Sequence, residues 1–305
     1  MTAAISVRGL RKSYGALEAV RGVDIQIDEG EVFALLGPNG AGKTTTVEIL
    51  EGHRKRDAGE VSVLGYDPAR ADRAFRQRIG IVLQSTGVNP YLTVGEIVEQ
   101  FRGFYPQPRP LDEILSLVGL LEKRNERVRR LSGGQQRRLD VAIGLAGNPD
   151  LLFLDEPTTG FDPAARRGAW EMVRGLKELG KTILLTTHYM DEAQALADRV
   201  AIIAAGRIVA QGPPSTLTGT TARITYIRFR VPPGAPALPR VIKAAATVSA
   251  AGVELRTEDP TRMLHELTGW AIAKKVPLDS LEVARPTLED VYLELTREAA
   301  EQPHE

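Results

Sequence analysis

The sequence predicts an α/β fold: a mixed, mainly parallel sheet with crossover helices and an inserted helical block, followed by a small α+β domain. Three observations carry that prediction. Short apolar runs alternate with helical stretches, the pattern turns helical from about residue 92 to 148, and composition shifts near 212–221. Strands that alternate with helices imply a parallel sheet closed by crossovers.

The elements can be read in order. Residues 5–36 read as strands, because Val23, Ile25 and Ile27 alternate with polar neighbours and Asp28-Glu29-Gly30 supplies a turn. Residues 31–36 form an almost continuous apolar run, the pattern of a strand buried on both faces. The run ends at Gly37, and 43–50 has helical character. Short strands follow at 61–64 and 79–83, then helices, clearest over 111–120 and 139–145. Strands return at 151–154 and 182–187. Between them 163–179 reads as a helix, with Pro163 in its first turn and Gly180 to stop it. Residues 212–221, rich in Gly, Pro, Ser and Thr, read as a linker. Beyond it, 224–231 alternates like a strand, 241–250 is helical, 253–256 extended, 261–274 helical and 280–283 a strand. Thr287 followed by Asp290 is a capping pattern that opens a last helix to about residue 299. The predicted division is a main domain over 1–215, with a helical subdomain over about 86–148, and a C-terminal accessory domain over 220–305.

Bulk properties bound the function. A chain of 305 residues, 43% hydrophobic and 26% charged, lies in the range of soluble globular proteins. Its 39 basic and 39 acidic residues give no basic excess of the kind a nucleic-acid binder shows. The absence of cysteine excludes disulfides and thiolate metal sites. Arg8, Arg11 and Lys12 interrupt the opening segment, which therefore does not resemble a signal peptide. The most apolar stretch, 200–210, is broken by Gly206 and Arg207 and is far too short to cross a membrane. These features predict a soluble, cytosolic protein.

Three segments carry chemistry. Gly37-Pro38-Asn39-Gly40-Ala41-Gly42-Lys43-Thr44, with Thr45 behind it, matches the phosphate-loop pattern in full and lies between a strand and a helix. Its glycines let backbone N–H groups turn in around phosphates, and the following helix adds its positive end. Lys43 is the cation for the terminal phosphates and Thr44 offers a hydroxyl to Mg²⁺. Leu151-Leu152-Phe153-Leu154-Asp155-Glu156 is a buried strand that delivers acids at its carboxyl end. Asp155 suits the metal, directly or through water, and Glu156 suits the general base that polarises the attacking water. Leu131-Ser132-Gly133-Gly134-Gln135 places a good N-cap and two glycines at a helix start, a second anion-binding helix end in the same chain. One molecule cannot easily wrap both ends around one nucleotide, whereas two arranged head to tail can bury two ATP between them.

With these motifs in this order, residues 4–212 resemble the ATPase subunits of ABC transporters, whose signature is the Leu131–Gln135 segment. The resemblance implies a cassette with a mixed sheet core, an antiparallel β subdomain and the helical insert. It implies further roles at matched positions: Tyr14 as the aromatic that stacks on adenine, Gln84 as the glutamine that senses Mg²⁺ and faces a membrane partner, and His188 as the switch histidine at the γ-phosphate. Gly160-Phe161-Asp162 matches the loop between cassettes, with Phe161 where leucine is commoner. Catalysis would then rest on positioning and charge neutralisation by Mg²⁺, Lys43 and a partner's signature helix.

The resemblance also implies partners. Every motif is intact, which favours a homodimer with two equivalent ATP sites, although an intact chain can also pair with a degenerate one. A multi-spanning permease subunit is implied, which would hold the chain at the cytoplasmic side of the membrane. The segment from Arg285 to Thr296 resembles the C-terminal part of bacterial drug-exporter cassettes of the daunorubicin-resistance kind. The implied function is ATP-driven export of a drug, lipid or polysaccharide. An importer motor, or an ATPase acting on ribosomes or DNA, is the alternative.

Overall fold

A computed structural model describes residues 2–70, 72–82, 87–220, 225–249, 252–285 and 287–301. The chain divides into two compact units, Met1–Pro214 together with Leu295–Glu305, and Ser215–Glu294.

The first unit contains two sheets. Strands β1 (Ala3–Tyr14), β2 (Leu17–Asp28) and β4 (Ala58–Val63) form an antiparallel sheet in the order β2-β1-β4. Strands β3 (Val32–Leu36), β5 (Ile79–Val82), β6 (Leu151–Asp155), β7 (Thr182–Thr187), β8 (Arg199–Ala204) and β9 (Arg207–Gly212) form a mixed sheet in the order β5-β6-β7-β3-β8-β9. All pairs in it are parallel except β8 with β9. The predicted mixed core and antiparallel sheet are both present. One apolar core joins the two sheets, with Ile5, Leu10 and Ile27 from the first meeting Phe33, Leu35, Phe153 and Leu184 from the second.

Helix α1 (Lys43–Leu50) follows β3, and α2 (Arg73–Arg78) precedes β5. The helical block comprises α3 (Val94–Arg102), α4 (Leu111–Leu117) and α5 (Gly133–Gly144), with α6 (Pro163–Glu178) and α7 (Met190–Leu196) as later crossovers. Capping boxes start α3 and α5, Thr93 pairing with Glu96 and Ser132 with Gln135. Among the described residues no helix is long and apolar enough to cross a membrane.

Register fixes the site. β3 pairs β7 with Leu36 opposite Thr187, and β6 pairs β7 with Asp155 opposite Thr186. The carboxyl ends of three neighbouring parallel strands therefore lie level, where ligands of open α/β sheets bind.

Residues 212–221, read as a linker, hold the boundary between the two units, and the stretch is helical there: α8 (Pro214–Thr220) starts at the proline suited to a first turn. One prediction is corrected. In the second unit, 241–250 is not one helix but α9 (Arg240–Ala244) followed by strand β11 (Ala246–Ser249). β11 joins β12 (Gly252–Thr257), β10 (Thr225–Arg230) and β13 (Asp279–Ala284) in an antiparallel sheet ordered β11-β12-β10-β13. Its core is Ile227, Phe229, Ile242, Val253, Leu255 and Leu267, the last from α10 (Pro260–Lys274). The expected cap of α11 (Leu288–Glu301) is present: Asp290 N–H donates to Thr287 Oγ1 at 3.2 Å, and Thr287 N–H to Asp290 Oδ2 at 2.8 Å.

Candidate functional site

The loop between β3 and α1 turns tightly, and two of its glycines are dictated by space. A Cβ on Gly37 would lie 2.4 Å from the Ile203 carbonyl oxygen. One on Gly42, at φ +102°, would lie 2.5 Å from that of Ala19. Both neighbours are backbone and cannot step aside. Ala41 N–H donates to Pro38 O at 3.2 Å and Thr46 Oγ1 to Gly42 O at 2.8 Å, closing the loop onto the first turn of α1.

Lys43 lies curled under this loop, nearly buried, with Nζ donating to Gly37 O at 2.7 Å and Pro38 O at 3.1 Å. Burial pushes its pKa below the usual lysine value, while the charges of Glu156 and Asp155 oppose that shift. The lysine and both acids line one cleft of about 450 Å³ with Tyr14, Asn39, Gly40, Gly42, Thr44 and Thr45. Tyr14 is part exposed, its hydroxyl 3.4 Å from Thr45 Oγ1, and the Arg54 guanidinium stands 5.2 Å from its ring.

Asp155 and Glu156 are tied to β7. Thr186 Oγ1 donates to Asp155 Oδ1 at 2.5 Å and accepts from Glu156 N–H at 3.1 Å. Glu156 adopts φ +46°, a left-handed conformation unusual for a residue with a side chain. Its carboxylate accepts from Thr159 Oγ1 at 3.0 Å through Oε2, and Oε1 lies 3.1 Å from His188 Nδ1. His188 immediately follows β7 and stacks against Tyr189 with ring centroids 4.1 Å apart. Acid and imidazole are thus brought to bonding distance from strand ends 32 residues apart.

The structure does not bring every predicted residue together. Ser132, Gly133 and Gly134 line a separate cleft of about 560 Å³ with Arg129, Arg137, Asp140 and the Gly160-Phe161-Asp162 loop. Gln135 spends its side chain on the helix cap, Oε1 accepting from Ser132 N–H at 3.0 Å. Gln84 lies outside the described residues. Two contributors were missed in the sequence. Thr186, 1% exposed, anchors both acids, and a polar pair ending an apolar strand was its signal. Arg137, on α5, donates through Nη2 to Asp155 O at 2.5 Å and through Nε to Pro157 O at 3.4 Å, and no spacing in the sequence announces it.

Asp155 carboxylate and Thr44 hydroxyl are hard oxygen donors that both line the cleft, the donor type that Mg²⁺ prefers. Among the described residues no cluster of three or more His, Cys, Asp or Glu could hold a metal alone. The residues fit a cation held by one or two side chains and shared with phosphates, and do not form an all-protein cage.

Comparison with known proteins agrees with this geometry. A family model described as ABC transporter matches residues 20–159. A second, described as the C-terminal domain of ABC transporter domain-containing protein-like chains, matches 225–287. The Nod factor export ATP-binding protein I of Ralstonia nicotianae is 40% identical over 97% of this chain and 94% of its own. The daunorubicin/doxorubicin resistance ATP-binding protein of Streptomyces peucetius is 34% identical over 98% and 94%. Among solved structures, the ATP-binding subunit of an ABC transporter superposes with TM-score 0.64 at 26% identity, covering 71% of this chain and 92% of that one. A dimeric post-hydrolysis cassette bound to ADP and Pi gives TM-score 0.61 at 28% identity, covering 68% and 98%.

Proposed function

The chain belongs to the ABC transporter family and is an ATP-binding cassette ATPase, and from that premise we propose that it powers an exporter through a separate multi-spanning permease. In this reading residues 1–215 are the motor, 220–305 an accessory domain, and the chain works at the cytoplasmic face of the membrane. Support for export comes from relatives named for Nod factor export and for daunorubicin/doxorubicin resistance, matched over nearly the whole chain. A drug, lipid or polysaccharide is the corresponding substrate class.

The observation that carries the hydrolytic mechanism is the Glu156–His188 contact at 3.1 Å on the wall of the phosphate-loop cleft. Glu156 takes the proton of the attacking water, and His188 holds that carboxylate in line. Backbone N–H groups around Gly40 and Gly42 and the start of α1 receive the phosphates, with Lys43 as their cation. Mg²⁺, held by Thr44 and Asp155, would neutralise phosphate charge; Tyr14 offers its ring to the adenine. Ser132, Gly133 and Gly134 open away into their own cleft, which supports their use on the nucleotide of a second copy in a head-to-tail homodimer. Gln84 keeps its assigned role as Mg²⁺ sensor and permease contact, and Gln135 its place in the signature end.

Two measurements test this reading. Glu156→Gln should bind ATP yet lose nearly all turnover and accumulate an ATP-bound dimer by light scattering; near-normal turnover removes Glu156 from the base role. Purification from native membranes should recover a multi-spanning protein with the chain. If none is recovered, the transporter role fails while the ATPase stands.

A further inference from the structure

Glu156 has to hold a conformation its own chain resists. A left-handed φ on a residue with a side chain is disfavoured and persists only where neighbours over-determine it. The N–H side of Glu156 is held twice by Thr186, through its carbonyl and its hydroxyl, both at 3.1 Å. The other restraint comes from Arg137. Its guanidinium takes the two carbonyls that flank Glu156, Asp155 O at 2.5 Å through Nη2 and Pro157 O at 3.4 Å through Nε. The side chain is 8% exposed, and Asp140, one turn along α5, sits 3.8 Å away as its countercharge. A planar fork can bridge two acceptors at once, which an ammonium point charge cannot.

We propose that Arg137 is a positioning residue for hydrolysis: by holding the carbonyls of Asp155 and Pro157, the residues before and after Glu156, it aims the Glu156 carboxylate at the water. The inference rests on the assignment of Glu156 as base. A guanidinium that merely propped α5 against β6 would need one carbonyl anywhere on the loop. Bracketing the strained Glu156 gives it a directional role. The same helix opens at Ser132, so whatever occupies that end is linked through Arg137 to the aim of the base.

The test uses the purified full-length chain, measuring kcat, KM for ATP, fluorescent-nucleotide affinity and urea midpoint for Arg137→Lys, Arg137→Met and Glu156→Gln. Because Arg137→Met leaves Asp140 buried beside a lost countercharge, the double variant Arg137→Met/Asp140→Asn is measured with it. A misplacement of the base of about 1 Å costs on the order of a hundredfold in rate. The expected result is therefore a roughly hundredfold fall in kcat for Arg137→Met and the double variant. KM and nucleotide affinity should stay within about twofold, and Arg137→Lys, which keeps the charge without the fork, should fall between. Wild-type kcat in the Arg137 variants, with Glu156→Gln inactive, overturns the positioning role and leaves the base in place. A joint collapse of kcat, nucleotide affinity and urea midpoint in the double variant makes Arg137 a strut and also overturns it. Active Glu156→Gln removes the base reading and this inference together.

Discussion

Thr186→Val removes one hydroxyl and keeps the β-branched shape that suits a buried strand, so its effect reports the hydrogen bonds alone. The side chain is 1% exposed, and its oxygen donates to Asp155 Oδ1 at 2.5 Å and accepts from Glu156 N–H at 3.1 Å. A hydrogen bond to a charged group contributes about 1.5–3 kcal/mol. The second bond adds less, about 0.5 kcal/mol, because Glu156 N–H also has the Thr186 carbonyl at 3.1 Å. The expected loss is about 2–3.5 kcal/mol for the first unit. With a urea slope of about 3 kcal/mol/M, the midpoint falls by about 1 M. The chain has two tryptophans, so a Trp270→Phe background leaves Trp170 of α6 as the sole indole and reports the first unit by fluorescence. A midpoint shift below about 0.2 M would show that the hydroxyl does not anchor the acids, and the account of the strand-end geometry would fall with it.

Two further outcomes follow from the cleft. Gly42→Ala should weaken ATP binding by more than about tenfold in a fluorescent-nucleotide titration, since its Cβ meets the Ala19 carbonyl at 2.5 Å. Gly40→Ala, with no atom within 4 Å, should carry only the left-handed cost of about 1 kcal/mol. Equal affinities would refute the steric reading. Glu51, 6% exposed, is pushed up to about 8 by burial and then by the nearby charges of Asp155 and Glu48. Between its ordinary value of 4.5 and about 8 the folded state keeps a proton that the unfolded state releases, so stability falls as pH rises through that window. Glu51→Gln should flatten that slope in urea midpoints taken from pH 5 to 8.5, and parallel curves would refute it.

The phosphate loop, the acidic strand and the signature helix were legible because each needs particular residue types at fixed spacing along a few neighbouring positions. What was not legible depends on register across the sheet. Thr186 serves Asp155 only because β6 and β7 pair with those two residues opposite each other, and Arg137 reaches a loop 18 residues further along the chain. The β8–β9 hairpin lay in the apolar stretch 200–210, whose break at Gly206 and Arg207 was read only as ruling out a membrane span. Ala205 and Gly206 both take positive φ, 47° and 80°, the requirement of a tight two-residue hairpin turn, and alanine seldom advertises it. In the second unit Ala244, Ala245 and Ala246 favour helix locally. Pairing of Val248 with Val253 in the β11–β12 ladder overrides that preference and makes the following residues a strand.

Charge balance in the cleft gives the cation a physical reason. Asp155 and Glu156 stand on one wall, and Lys43 is the cation that lines the cleft with them. Its ammonium rests on the Gly37 and Pro38 carbonyls, where burial works against its charge. The phosphate loop adds N–H dipoles and a helix end, which orient toward negative charge but carry no net charge of their own. A triphosphate entering beside two carboxylates therefore meets more repulsion than one lysine offsets in a partly desolvated site. A divalent ion held by Thr44 and Asp155, as proposed above, would reverse the sign of that interaction. Nucleotide and cation would then bind with positive linkage, each raising the affinity of the other by the same factor. In the proposed mechanism the acid that would repel the nucleotide would become the group that seats it, and Glu156, one residue further at its left-handed φ of 46°, would be left to meet the water.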